Sequence, residues 1–242
     1  TVAGASEGVP LFAEMTVRSM ALRAPRDDGS PTLDPRLALN ELIAASSEDE
    51  RSLLLALLAA AGPAPIELLA LALGRPYVVV DVSAAALVDR GLLRWTRTGG
   101  RACVAFYHDA VRTALEGGFG EEGLRPLHTR LAQAFLGPNG SKEQAVRHLL
   151  AAGQSSAAAS LAIEAAHDAL SAKAFGLAAD LLAIALEHGE GERAPLLAQR
   201  ASALDMSGRY AEAALAYGHA AEVAPPADTL KLWLAKAYSH LA

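Results

Sequence analysis

The sequence holds a single cysteine, Cys103, in 242 residues. That excludes an intrachain disulfide framework and a cysteine-based zinc site, and it fits a reducing compartment. Aromatic residues make up only 5%, thin material for a β-sandwich. Lys and Arg are scattered and form no block, and the net charge is −6. General nucleic-acid affinity needs clustered cations facing phosphates, so this pattern argues against it. No apolar run reaches the roughly 20 residues a membrane-spanning helix needs. The best candidate, Leu53 to Ala61, is short and follows Ser47-Glu48-Asp49-Glu50-Arg51. No signal peptide is visible, and the chain starts at Thr1 without a methionine. We expect a cytoplasmic segment of a longer protein.

Catalytic signatures are also missing. No G-x-x-x-x-G-K-[ST] occurs, and Gly140-Ser141-Lys142 has the wrong order and spacing for one. There is no G-x-S-x-G, no H-E-x-x-H and no kinase set. His108, His128 and His148 fall on separate expected helices, which argues against a metal site, and the other histidines are isolated. The segment is expected not to be an enzyme by itself.

What the chain does have is hydrophobic material, 52% of it, much of it alanine. Alanine has the highest helix propensity and lets helices approach closely. The chain is therefore expected to be mainly α-helical. Pro10 opens a helix over 8–23, a polar loop holds Pro25 to Pro31, and a short helix runs from Asp34 to about Ala45. Ser47 followed three residues later by Glu50 has capping-box spacing, and Leu53, Leu54, Leu57 and Leu58 recur at helical intervals. Gly62-Pro63 stops that helix and Pro65 opens the next, which ends at Gly74.

Val78 to Val80 followed by Asp81 invites a strand reading, even that of a metal-binding apolar strand. The unbroken Ser83-Ala84-Ala85-Ala86-Leu87-Val88 favours helix from Tyr77 to Arg90 instead. Then the period changes. Leu92–Thr96 and Ala102–Tyr107, joined at Gly99-Gly100, read as a β-hairpin, and a helix restarts at His108. Three helices and a hairpin make a winged-helix domain over 47–118. From 119 to 242 only helices follow, with breaks at Gly137-Pro138-Asn139-Gly140, Gly153, Gly189 and Pro225-Pro226. Short loops make consecutive helices antiparallel neighbours.

Within that stretch, Gly208, Tyr210, Ala213, Tyr217, Ala220 and Pro225 match the second half of a tetratricopeptide repeat in type and spacing. Gly208 relieves the turn, Ala213 and Ala220 are small where helices cross, and Tyr210 and Tyr217 fill gaps between hairpins. Ala178, Leu182 and Ala185 form a weaker copy about 35 residues earlier, near the ideal period. The expected fold is a winged-helix domain with a small β-hairpin followed by a tetratricopeptide-like α-helical array.

Four stretches carry a resemblance. They are Gly8-Val9-Pro10-Leu11-Phe12 with Glu14, Leu87-Val88-Asp89-Arg90-Gly91-Leu92-Leu93, Phe106-Tyr107-His108-Asp109-Ala110-Val111-Arg112, and His148-Leu149-Leu150-Ala151-Ala152-Gly153. Together, in this order, the chain resembles bacterial signal-transduction ATPases of the STAND class, AAA-type proteins attached to serine/threonine kinases, adenylate cyclases or LuxR-type regulators. The resemblance implies that 1–46 is a helical remnant of the ATPase lid. It implies that Pro10, with Gly8 beside it, contacts adenine and that His108 reaches a diphosphate oxygen, with Arg112 in support. ATP or ADP with Mg would bind in the parent only, and no cofactor is expected for the segment alone.

Two other classes fit parts of the chain. A DNA-binding winged helix would need cations on its third helix, which instead carries Asp81 and Asp89 with only Arg90 at its end; the wing offers Arg94, Arg97 and Arg101. A pure helical-repeat scaffold would bind a protein or peptide, or associate with itself.

Overall fold

The computed structural model describes residues 35–117, 121–137, 140–190 and 192–239. The expected helix over 8–23, with Gly8 and Pro10, lies outside them. The chain divides into two compact units, Thr1–Ala134 and Phe135–Ala242.

The first unit is a winged helix. Helix α1 spans Pro35–Ala44, α2 Glu48–Ala60, α3 Ile66–Leu73 and α4 Tyr77–Asp89; strands β1 (Ala64–Pro65), β2 (Leu93–Thr98) and β3 (Arg101–Phe106) form one sheet; α5 spans Asp109–Glu116 and α6 Glu121–Phe135. Helix α2 starts where the capping box places it. Glu50 N–H donates to Ser47 Oγ at 3.3 Å, and Ser47 N–H donates to Glu50 Oε2 at 2.7 Å. Two donors that the first helical turn leaves unpaired are satisfied reciprocally. The stretch Tyr77–Asp89 is helix along its length, as its alanines demand.

The hairpin register pairs Leu93 with Phe106 and Thr98 with Arg101, leaving Gly99-Gly100 as a two-residue turn. Their φ values of 56° and 79° are both left-handed, which glycine adopts without the steric cost other residues meet. The sheet also has a third strand that sequence periodicity did not indicate. Ala64 and Pro65 pair antiparallel with Val104 and Cys103, giving the order β1-β3-β2. Pro65 therefore ends a strand as well as preceding α3. Proline is tolerated there because β1 lies at the sheet edge.

Leu53, Leu54 and Leu57 of α2, Leu69 of α3, Leu87 of α4, Leu93, Val104 and Val111 make one fully buried core. Helix α6, expected to belong with the repeats, packs on this unit instead: Leu127, Leu131 and Ala134 meet Ala59 and Ala72.

The second unit is a run of antiparallel helices: α7 Lys142–Ala151, α8 Ser155–Ser171, α9 Phe175–His188, α10 Arg193–Met206, α11 Tyr210–Val223 and α12 Pro226–Ser239. Its seams are built from alanine. Ala158, Ala162, Ala166, Ala178, Ala201, Ala213 and Ala220 are all fully buried. Three connections share one device. Gly153, Lys173 and Gly208 take φ of 75°, 59° and 79°, and the next residue donates back to Leu149, Ala169 and Leu204 carbonyls at 2.8, 2.8 and 2.9 Å. This is the left-handed C-terminal cap with its six-to-one hydrogen bond. Lys173 stands 35 residues before Gly208, the same offset that relates Ala178 to Ala213 and Ala166 to Ala201. The two hairpins α8–α9 and α10–α11 are thus copies in register, as repeats of this length require.

Candidate functional site

The residues expected to matter fall into two groups, one in each unit. In the first, Tyr107 N–H donates to Leu92 O at 3.0 Å and closes the hairpin. The chain then turns into α5 through His108, which is extended (φ −144°, ψ 151°) and caps the helix. Its Nδ1 accepts the Ala110 N–H at 3.2 Å. A neutral imidazole that accepts at Nδ1 carries its proton on Nε2, so Nε2 is a donor. Asp109 in the first turn suits the positive end of the helix dipole. Arg112, one turn on, lies 3.6 Å from Asp109 and 3.8 Å from Glu116.

His108 and Arg112 are both exposed, one capping the start of α5 and the other in its first turn, where Arg112 is paired with Asp109 and Glu116. Chemically, this arrangement can donate a hydrogen bond to an anionic oxygen and hold a cation near it. Gly8 and Pro10 lie outside the described residues. Among those residues, no three His, Cys, Asp or Glu side chains gather as metal ligands.

An ion pair between α2 and the end of α4 was not evident from the sequence. Arg90, the residue after α4, binds Glu50 on α2 through Nη2. Its Nε also donates to Ala86 O at 3.3 Å and its Nη1 to Ser46 Oγ at 3.5 Å. Burial alone would raise the Glu50 pKa. The Arg90 guanidinium and the Ser47 N–H outweigh it and hold the carboxyl below its ordinary value. The capping box made Glu50 visible in the sequence, but nothing there announced a partner forty residues away.

In the second unit, Gly208 has the left-handed turn expected of it, and Ala213 and Ala220 are fully buried at the crossings. Tyr217 is half-buried, and burial followed by the Asp205 charge raises its pKa against a hydrogen bond with Ser202. Tyr210 departs from the expectation. It is 41% exposed, because the first residue of α11 sits at the end of the helix crossing rather than its middle. The gap-filling expected of both tyrosines falls to Tyr217. Pro225 is exposed and precedes α12.

Next to Gly208, Arg209 forks onto Glu212 at 2.8 and 2.7 Å and reaches Asp180 on α9 at 2.8 Å. These bonds raise its pKa further and lower that of Glu212. They tie one hairpin to the next at the surface, where ion pairs contribute little individually. At the start of the unit a cleft of about 450 Å³ opens between the α6–α7 connection, α8 and α9. Phe135, Leu177, Leu181, Ala165 and Ala169 line it, and the Lys142–Asp168 pair at 2.8 Å stands on its rim.

No family model matches the chain, and no curated protein matches it. Among solved structures, it is similar to a signal-transduction ATPase with numerous domains (STAND) protein with a tetratricopeptide repeat sensor from Pyrococcus horikoshii. Identity is 16% and the TM-score 0.47, with 98% of this chain covered. The chain spans about 40% of that protein's length.

Proposed function

We propose that the chain is the regulatory and protein-interaction segment of a nucleotide-switched signalling ATPase, carrying ATP or ADP state from a P-loop domain to a helical-repeat sensor. The observation that carries this reading is the succession, in one chain, of a winged-helix unit and stacked helical hairpins in register. Repeats of this kind offer extended surfaces to a protein or peptide.

In this reading the Nε2–H of His108 donates to a diphosphate oxygen of ADP. Arg112 adds positive potential one helical turn away. Pro10, with Gly8, meets the adenine. The winged helix is then held in place while ADP is bound and released when ATP replaces it, a population shift driven by differential contacts. The output is a kinase, a cyclase or a transcriptional regulator of a bacterial cell, joined elsewhere in the parent protein.

His108→Ser in the parent protein tests the contact. Serine keeps the helix cap but is too short to reach a phosphate. Loss of a hydrogen bond to a charged oxygen should speed ADP release roughly tenfold to a hundredfold, read as displacement of a fluorescent ADP analogue. An unchanged rate removes His108 from the mechanism. A coding region upstream of Thr1 without a P-loop removes the nucleotide reading altogether.

A further inference from the structure

Helix α4 carries apolar residues on two faces. Its inner face, Val80, Ala84 and Leu87, is buried in the core. Its outer face should then be polar, as on an ordinary surface helix. Instead Val78 and Val82 are each 63% exposed, with Ala85 beyond them on the same stripe. Tyr77 at the start of the helix is half exposed, and Leu71 on the neighbouring α3 is 68% exposed. A helix that is hydrophobic on both faces is built to be covered twice.

The charges around this patch say what covers it. Glu67 stands one turn before Leu71 on α3, and Asp81 lies between the two valines on α4. Both act on the Tyr77 hydroxyl: Asp81 first, then burial, then Glu67 raise its pKa. Asp89 ends the stripe. Two carboxylates, Glu67 and Asp81, therefore rim an apolar strip, while Arg75 between the two helices is neutralised by Asp49 at 3.2 Å. Duplex DNA is repelled by that rim. An anionic bilayer surface is repelled too, because helices that lie on membranes carry Lys and Arg beside their apolar face. The paired helices α3 and α4 have a membrane-like hydropathy, but they are bent by 116° and α4's inner face is already occupied. An amphipathic protein helix whose apolar stripe is flanked by Lys or Arg matches both the strip and the rim.

We infer that the outer face of α4, with Leu71 of α3, is a docking surface for a basic amphipathic helix of a partner protein. The inference rests on the protein-interaction half of the proposed function and not on its nucleotide half. Unchanged ADP release in His108→Ser would leave it standing, and its own failure would leave the nucleotide reading standing.

The probe is a pair of labelled synthetic helical peptides with one leucine stripe, one flanked by lysines and one by glutamates. The full 242-residue chain is titrated into each by fluorescence anisotropy. The lysine peptide should bind, more weakly as salt rises, and should protect amides within 66–89 from exchange. Val78→Ser/Val82→Ser should weaken binding about tenfold or more, while Leu215→Ser on α11 should not. Glu67→Lys/Asp81→Lys should shift preference to the glutamate peptide. Glu67, Val78, Val82 and Leu215 are exposed and Asp81 is half-buried, so circular dichroism should be unchanged. Equal binding of both peptides overturns the inference, as does protection elsewhere in the chain. So does valine-dependent binding of phosphatidylserine vesicles or duplex DNA in place of the lysine peptide.

Discussion

Glu50 holds the first unit together from both ends of one carboxylate, and its removal should be felt as a loss of unit stability. In Glu50→Ala the Ser47 N–H loses its acceptor and the Arg90 guanidinium is left without its anion. Removing one partner of a fully buried ion pair costs about 3–5 kcal/mol. The Arg90 side chain is 27% exposed, so water solvates part of the stranded charge and the cost falls to about 2–3 kcal/mol. The lost half of the capping box adds a few tenths to about 1 kcal/mol.

The assay exploits the two tryptophans, Trp95 in the first unit and Trp233 in the second. In a Trp233→Phe background, urea unfolding followed by fluorescence reports the first unit alone. At a slope of about 1.5 kcal/mol/M the midpoint should drop by about 2 M. The pH dependence follows from the lowered carboxyl. Glu50's contribution is complete above its ordinary pKa near 4.5 and disappears as pH falls through the lower folded value. Glu50→Gln should flatten that part of the stability profile. A Glu50→Ala midpoint within about 0.3 M of wild type, with Arg90→Met equally silent, would refute the reasoning.

Lys173→Gly should stabilise the second unit by about 0.5–1 kcal/mol, because lysine is strained at φ 59° and glycine is not; Trp233 fluorescence in urea reads it, with Trp95 replaced by phenylalanine. The reverse exchange, Gly208→Lys, should cost about 1 kcal/mol in the same assay, since an added Cβ meets nothing within 4 Å and only the backbone resists. Ala213→Leu should overpack the α10–α11 seam and cost about 1–3 kcal/mol, read by thermal circular dichroism. His108→Ala should lower the first unit's stability by about 1 kcal/mol through the lost cap, while His108→Ser should leave it within about 0.5 kcal/mol, both in the Trp233→Phe background.

Much of the helical fold was legible because its signals are local. Ser47 and Glu50 announced a helix start by spacing alone, and Gly99-Gly100 announced a turn that a two-residue hairpin accepts readily. The strand at Ala64–Pro65 was not legible, since two residues have no period and the pairing with Val104 and Cys103 depends on chain brought back from afar. The earlier repeat looked weak for a related reason. Its left-handed position is filled by Lys173, so the glycine that marks the later copy is missing although the backbone is the same. Of the candidate site, His108 is singled out by a family resemblance; what the sequence itself shows is its place at the start of a helix, and its cap follows from that place. Arg90 was hidden because an ion pair across forty residues leaves no pattern, and the exposure of Tyr210 depends on where helices cross, which composition does not fix.

The alanine seams of the second unit bear on how it responds to load. A leucine contact accommodates a displaced neighbour by hopping to another rotamer, at a cost in order but not in position. A methyl group has no rotamer to change and no conformational freedom to lose. Ala166, Ala178, Ala201 and Ala213 are fully buried in one core, where small side chains let helices pack closely. At these alanine contacts a push on α8 meets little side-chain rearrangement and is passed on as a shift of α9, and then of α10. The array is therefore stiff along its stacking axis, a lever whose far end moves when its near end does.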